Sequence, residues 1–131
     1  MRVATLLVPT LLLGLAIPSA AQNAIREDDP AAFRAHLERS CPLMGQVDRV
    51  IQEAIQIGAP IYNAGSALGC YRIYEGASYK LLYRLGDSCE AVAVTLGAGL
   101  RAGDAAEGAT AKAWALRRTF DMLLGTPTRT R

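Results

Sequence analysis

The chain has 131 residues, of which 51% are hydrophobic and 20% are charged, with 14 basic and 12 acidic side chains. This length corresponds to one domain, and the apolar fraction is too high for a disordered chain. A net charge of +2 is too small to indicate nucleic-acid binding. The composition therefore predicts one small globular domain. Its unusual feature is the set of three cysteines, because disulfide frameworks use cysteines in pairs.

The first 21 residues have the features of a cleaved export signal. Arg2 precedes an apolar run over residues 6–17, and Ser19 and Ala21 are small residues at the positions that signal peptidase recognises. A transmembrane anchor is the alternative, but prolines and a glycine interrupt this run, and spanning requires about 20 apolar residues. We expect cleavage after Ala21, with Ala20 as the near alternative. The prediction is a periplasmic or secreted protein with no stable membrane anchor.

Residues 22–125 are predicted to form a single helical domain, because apolar residues recur there at intervals of three and four. Asp29 before Pro30 is typical of a helix start, and the first helix is expected to reach about Arg39 and to bury Phe33 and Leu37. Gly58 and Pro60 are expected to bend or break the second helix. The apolar stripe of that helix comprises Leu43, Val47, Val50, Ile51, Ala54 and Ile55.

Three further helices are expected, beginning near Ser66, at the Asp87–Glu90 segment, and after Gly103 and Asp104. Asp87 and Glu90 have the spacing of a capping box, and Gly97 and Gly99 are expected to weaken the helix that follows. The predicted stripes are Cys70, Tyr74, Ala77, Leu81 and Leu85; Val92, Leu96 and Leu100; and Ala109, Ala113, Leu116, Phe120 and Leu123.

Glycines and prolines give the predicted ends of these helices. Gly86 is expected to end the third helix and Gly125 the last one, and residues 126–131 would form a mobile basic tail. The prediction is an all-α fold, a compact bundle of four or five antiparallel helices with short loops.

Residues 51–84 resemble a tetratricopeptide hairpin. Tyr62 and Gly65 are followed by Cys70, Tyr74 and Ala77 at the intervals of that repeat. Two features depart from it, since cysteine replaces the usual alanine and Pro60 falls within the first helix. A stack of about three repeats is needed for a solenoid, and the chain contains no second copy. The resemblance implies a protein-binding or assembly role.

The cysteines are expected to form one disulfide, between Cys41 and Cys89. Cys70 would lie near the start of the third helix and Cys89 beyond the end of that helix, too far apart for a bond that joins Cα atoms within about 7 Å. Cys41 precedes a helix antiparallel to that one, so it approaches Cys89. Cys70 then remains as a buried thiol; a reactive thiol is the alternative, and nothing basic is placed to activate it except Arg72 or Arg84.

The chain contains no recognisable catalytic or metal-binding motif. His36 is the only histidine, and CxxC and HExxH patterns are missing from the sequence. We therefore expect no catalytic residue, no metal site and no cofactor, and the chain is not predicted to be an enzyme.

Two helical stripes are candidate protein-interaction surfaces, because exposed aromatic residues beside arginine are favoured at interfaces. They comprise Arg72, Tyr79 and Tyr83, and Trp114, Arg117 and Arg118. Asp121 is expected beside the second stripe, away from the Phe120 face. In the alternative interpretation the tyrosines cover a second helix layer, Trp114 fills the bundle, and Arg117 pairs with Asp121.

The predicted function is therefore an exported interaction or assembly module, whose partner is another exported protein or a second copy of the chain. The alternative is a bundle that holds a small apolar ligand or non-covalent haem, with Tyr62, Tyr71 or Tyr74 as polar contacts.

Overall fold

A computed structural model describes residues 29–127 of the chain. They form five α-helices: α1 (Pro30–Ser40), α2 (Met44–Asn63), α3 (Ala67–Leu85), α4 (Glu90–Ala105) and α5 (Gly108–Leu124). A short 3-10 helix (Gly86–Cys89) joins α3 to α4, and no strand occurs between residues 29 and 127. The all-α bundle is confirmed. The predicted export signal and the tail residues 128–131 lie outside the described residues.

The helix ends follow the local chemistry of the sequence. The Asp29 carboxylate accepts hydrogen bonds from the first free backbone N–H groups of α1, and the Ser66 hydroxyl accepts one from Gly69 N at 3.2 Å in α3. These contacts satisfy donors that a helix start leaves unpaired. Gly125 ends α5 in the left-handed conformation, at φ 69°. The predicted boundaries of α1 and α3 and the predicted end of α5 are therefore confirmed to within one or two residues. Helix α5 begins later than predicted, at Gly108, because α4 continues past Gly103 and Asp104 to Ala105.

Helix α3 lies at the centre of the bundle and packs against α2, α4 and α5. Gly65, at φ +98°, forms the turn of the α2–α3 hairpin, and α4 and α5 form a second hairpin. The Tyr74 ring on α3 meets Phe120 on α5 edge to face, with ring centroids 5.3 Å apart. Tyr71, near the start of α3, meets Asp104 at the end of α4 and Lys112 at the start of α5, so α4 runs antiparallel to α3 and α5 runs parallel to it.

The hydrophobic core contains most of the predicted stripe positions, including Leu81, Leu96 and Phe120, which are fully buried. Leu37 is buried, whereas Phe33 is half-buried and packs against the core. Two α3 residues outside the predicted stripe, Tyr71 and Ser78, are also buried. They are buried because α3 has neighbours on three sides, so its inner face is wider than a single stripe.

An arginine joins α1 to the rest of the bundle. The Arg34 guanidinium forms a two-pronged ion pair with Asp48 of α2, at 2.6 and 2.8 Å, and donates to the Leu123 carbonyl of α5 at 3.0 Å. It also pairs with Glu38 on α1. Because the two partners outside α1 come from different helices, this side chain determines how α1 is oriented on the domain.

Gly58 and Pro60 were expected to bend or break α2, and a break at these residues is wrong, because the helix continues to Asn63. Pro60 is exposed and lies in the last turn, where its missing N–H removes a single hydrogen bond. Gly58 is buried, and a Cβ at this position would collide with the Tyr74 ring. The glycine therefore allows α2 and α3 to approach closely rather than interrupting the helix.

The predicted capping box at Asp87 and Glu90 is also wrong. The segment instead forms the 3-10 helix, and α4 starts at Glu90 with Cys89 as its N-cap and no side-chain cap hydrogen bond. Cys89 forms a disulfide with Cys41, with Cα atoms 4.6 Å apart. Because the disulfide holds the chain at this point, the start of α4 is anchored covalently rather than by a side-chain cap.

The Cys41–Cys89 disulfide confirms the predicted pairing, and Cys70 is a buried free cysteine as expected. A disulfide in a chain of this size indicates an oxidising compartment. Of the helices that the structure describes, none combines the length and apolar character needed to cross a membrane.

Candidate functional site

The outer face of α3 carries the first predicted interaction stripe. Tyr79 and Tyr83 are 54% and 91% exposed, and their spacing of four residues places them one turn apart on the same face. Arg72 extends this face toward the start of α3, with its side chain 64% exposed. Leu68, at 53% exposure, lies one further turn away. The structure therefore brings the three predicted α3 residues onto one exposed surface, here called the α3 outer face.

The charges on the α3 outer face are mainly positive. Arg72 forms an ion pair with Glu75 at 2.7 Å, and this pair lowers the pKa of the Glu75 carboxyl. Lys80 and Arg84 are exposed beside the two tyrosines, and neither forms an ion pair within residues 29–127. A complementary surface would therefore carry carboxylates around an apolar centre.

The predicted α5 residues occupy less exposed positions. Trp114 is half-buried, and its indole N–H donates to the Tyr62 hydroxyl at 3.1 Å. The two rings meet at 84° with centroids 6.1 Å apart. Arg117 is 19% exposed and pairs with Asp121, Nε to Oδ1, at 2.9 Å. These are the contacts of the alternative interpretation, in which Trp114 fills a gap and Arg117 forms an i,i+4 pair.

The expected position of Asp121 beside a surface stripe is wrong, because this residue is only 3% exposed. One carboxylate oxygen is held by Arg117, and the other has no hydrogen-bond partner. Arg118 is exposed and borders a separate, mostly apolar groove of about 650 Å³ between α4 and α5. Because α3 and α5 pack through their inner faces, their outer faces point away from each other. The six predicted interaction residues therefore do not form one continuous surface.

A pocket of about 300 Å³ opens between α2, α3 and α5. It contains two of the three tyrosines that the ligand alternative named, Tyr62 and Tyr74, whereas Tyr71 lies elsewhere. No sequence pattern indicated that these helices meet here, since the lining residues are spread over three segments. They are Ala59, Tyr62, Asn63, Cys70, Tyr74, Ala113, Trp114 and Arg117.

A chain of polar side chains runs along one side of this pocket. Arg117 interacts with both Asp121 and the Tyr74 hydroxyl, and Tyr74 interacts with the Cys70 thiol. Burial raises the pKa of Tyr74, and the hydrogen bond with Cys70 raises it further. Burial also raises the pKa of the Cys70 thiol, against the smaller opposing effects of Tyr74 and Arg117. Both groups therefore stay protonated at neutral pH, which does not favour a reactive thiolate.

Arg117 keeps its positive charge in this setting. Burial lowers the pKa of the Arg117 guanidinium, but the hydrogen bond and charge of Asp121 outweigh that effect, and the net shift is upward. The charged guanidinium of Arg117 and the amide of Asn63 therefore line the same pocket. These groups donate hydrogen bonds, and the aromatic rings supply apolar walls.

The residues that the structure describes contain no cluster of three or more metal-ligating side chains. Comparison of the chain with models of protein families, with curated proteins and with solved structures found no match. The α3 outer face and the pocket are therefore the two features of residues 29–127 that indicate a function.

Proposed function

We propose that this chain is an exported helical domain that binds another exported protein through the α3 outer face, without catalysis. The observation that carries the proposal is the exposed pair Tyr79 and Tyr83 beside Lys80 and Arg84. Tyrosine and arginine are the residues that most often dominate binding energy at interfaces, because they combine apolar contact with a polar group.

The charge of this face favours a different protein over a second copy. A two-fold symmetric contact would place the same patch against itself, so Lys80 and Arg84 would approach their own copies. Like charges at an interface oppose association. The expected partner therefore presents acidic residues around an apolar contact. The resemblance of residues 51–84 to a tetratricopeptide hairpin implies a binding role, and the α2–α3 hairpin with Gly65 in its turn is compatible with it.

Site-specific cross-linking tests the proposal in the full chain. A photoreactive phenylalanine at Tyr83 should give one cross-linked product with another protein in the exported fraction. The same probe at Val94, a residue of α4 that is 62% exposed, is the matched control and should give none. Reversing the charges with Lys80→Glu and Arg84→Glu should reduce the Tyr83 product about tenfold or more.

Three results would contradict this proposal: no product at Tyr83, a product consisting of two copies of this chain, or equal products at Tyr83 and Val94. The export part has its own test. N-terminal sequencing of the protein from the exported fraction should begin at Gln22, whereas retention of Met1 would oppose cleavage after Ala21.

A further inference from the structure

The pocket between α2, α3 and α5 lies apart from the α3 outer face and has the dimensions of a small-ligand site. Its volume is about 300 Å³, at the lower end of the range for ligand pockets, and a cavity of about half that size holds benzene. A ligand of one ring with a short substituent therefore fits the available space.

The polar side of this pocket is provided by a positioned arginine. Arg117 is the one charged residue in the lining. Asp121 engages its Nε, which holds the guanidinium fork from one edge. Arginine has five N–H donors, so this contact leaves the terminal nitrogens as further donors. The ion pair with Asp121 is the sole one formed by Arg117 within residues 29–127.

The remaining lining determines which ligand would be preferred. Tyr74 is 2% exposed, and its one hydroxyl proton is engaged with the Cys70 thiol, so Arg117 is the donor that a ligand would meet. The edge-to-face rings of Tyr62 and Trp114 form an apolar wall. Donors that include a guanidinium recognise carboxylates best, because charge-assisted hydrogen bonds are about twice as strong as neutral ones.

We propose that this pocket binds a small carboxylate with a short aromatic or apolar body, with Arg117 contacting the carboxylate and Tyr62 and Trp114 flanking the body. The carboxylate could belong to a free organic acid or to the C-terminal residue of a peptide. Both sources present the same chemistry to Arg117.

The fluorescence of Trp114 provides a direct readout, since it is the only tryptophan in the chain and it lines the pocket. We expect phenylacetate to change this fluorescence saturably. Phenylacetamide has the same shape without the charge, and its affinity should be lower by a factor of about ten or more. The peptide N-acetyl-Gly-Phe, with a free C-terminal carboxylate, identifies the source, and its C-terminal amide is the uncharged control. If the free-acid peptide binds more tightly than phenylacetate, the site is assigned to peptide termini. If this peptide binds more weakly than phenylacetate, the site is assigned to free acids.

The matched variant is the double substitution Arg117→Gln and Asp121→Asn, which removes both charges without leaving a buried carboxylate unpaired. It should keep its far-UV helix signal and bind phenylacetate no more tightly than phenylacetamide. A Tyr83→Ala control should bind phenylacetate as the original chain does, which separates this site from the proposed protein interface. The proposal is overturned if phenylacetate does not bind, if the amide binds equally well, or if the folded double variant still prefers the acid.

Discussion

Tyr71 connects three helices through a single side chain. Its hydroxyl lies 3.0 Å from Glu75 on α3 and 3.2 Å from Asp104 on α4, and its one proton can be donated to either carboxylate. Two cations lie over the Tyr71 ring: Arg72 of α3, with its Cζ 5.4 Å from the ring centroid, and Lys112 of α5, with its Nζ 5.6 Å from it. Burial and the two carboxylates raise the pKa of Tyr71 to about 12.

This shift predicts a loss of stability in alkali. The unfolded chain releases the Tyr71 proton near pH 10 and the folded chain near pH 12, so the neutral phenol contributes its full stabilisation below about pH 10. Between about pH 10 and about pH 12 the free energy of unfolding should fall by roughly 2 to 3 kcal/mol from this group. Urea unfolding measured across that range, with tyrosinate absorbance followed in parallel, checks the prediction.

The matched comparison is between Tyr71→Phe and Tyr83→Phe. Tyr71→Phe should flatten the decline with pH, and the slope that remains reports Tyr74 and Cys70, whose pKa values burial also raises. Tyr83 is 91% exposed, so Tyr83→Phe should keep the original slope. An unchanged slope in Tyr71→Phe would show that this phenol does not control the alkaline transition.

At the scale of the helices, close packing of α4 against α5 depends on a glycine. From the sequence alone, the glycines of α4 were interpreted only as residues of low helix propensity. Gly99 on α4 faces Thr119 on α5, and a Cβ at this position would collide with the threonine side chain. Thr119 is held in place by a hydrogen bond from its hydroxyl to the Ala115 carbonyl at 3.0 Å. At Gly97, a Cβ would meet only the flexible end of Arg101, at 3.4 Å.

The two glycines of α4 should therefore respond to alanine in opposite ways. Gly99→Ala should destabilise the domain by about 1 to 3 kcal/mol, because a methyl group overfills a packed contact. Gly97→Ala should stabilise it by up to about 1 kcal/mol, because alanine has the higher helix propensity. Thermal or urea unfolding of both variants tests this, and a change of the same sign at the two positions would contradict it.

How well each element could be predicted depended on whether local chemistry decides it. The cap at Asp29, the start at Ser66 and the end at Gly125 are local, and the sequence predicted them. Gly58 and the Asp87–Glu90 segment were misinterpreted because a neighbouring ring and a disulfide determine their structure. Tyr71, buried by helices far along the chain, carried no periodic signal that separated it from a surface tyrosine.

At the scale of the whole molecule, the disulfide joins the two halves of the domain. Cys41 is the C-cap of α1, directly before α2, and Cys89 is the N-cap of α4. The bond spans 48 residues along the chain. It closes a loop that contains all of α2 and α3, so the unfolded chain loses much of its freedom when the bond is present.

Removing this bond with Cys41→Ala and Cys89→Ala should lower the free energy of unfolding by about 4 kcal/mol in the chain-entropy model. Urea unfolding under oxidising conditions measures the change. Cys70→Ala is the control, because it keeps the disulfide. Its free energy of unfolding should differ less from that of the original chain, and this difference should be the same with and without reductant. The original chain itself should lose stability on reduction. If the free energy of unfolding of the double variant is within about 1 kcal/mol of the original value, the disulfide is not what keeps the loop compact, and the folded structure does so without it.

The sequence by itself determined the helical class and most helix boundaries, because periodicity, caps and turn residues act within a few positions. The sequence predicted the Cys41–Cys89 pairing, because the lengths and alternating directions of the predicted helices leave these two cysteines near each other. It also predicted that Tyr79, Tyr83 and Arg72 share a face, since one helix places them there. Only the tertiary structure decided that Asp121 is buried, that the two predicted stripes face apart, and that Cys70, Tyr74 and Arg117 line one pocket with Tyr62 and Trp114. Those contacts join residues from helices distant in the chain, and packing alone brings them together.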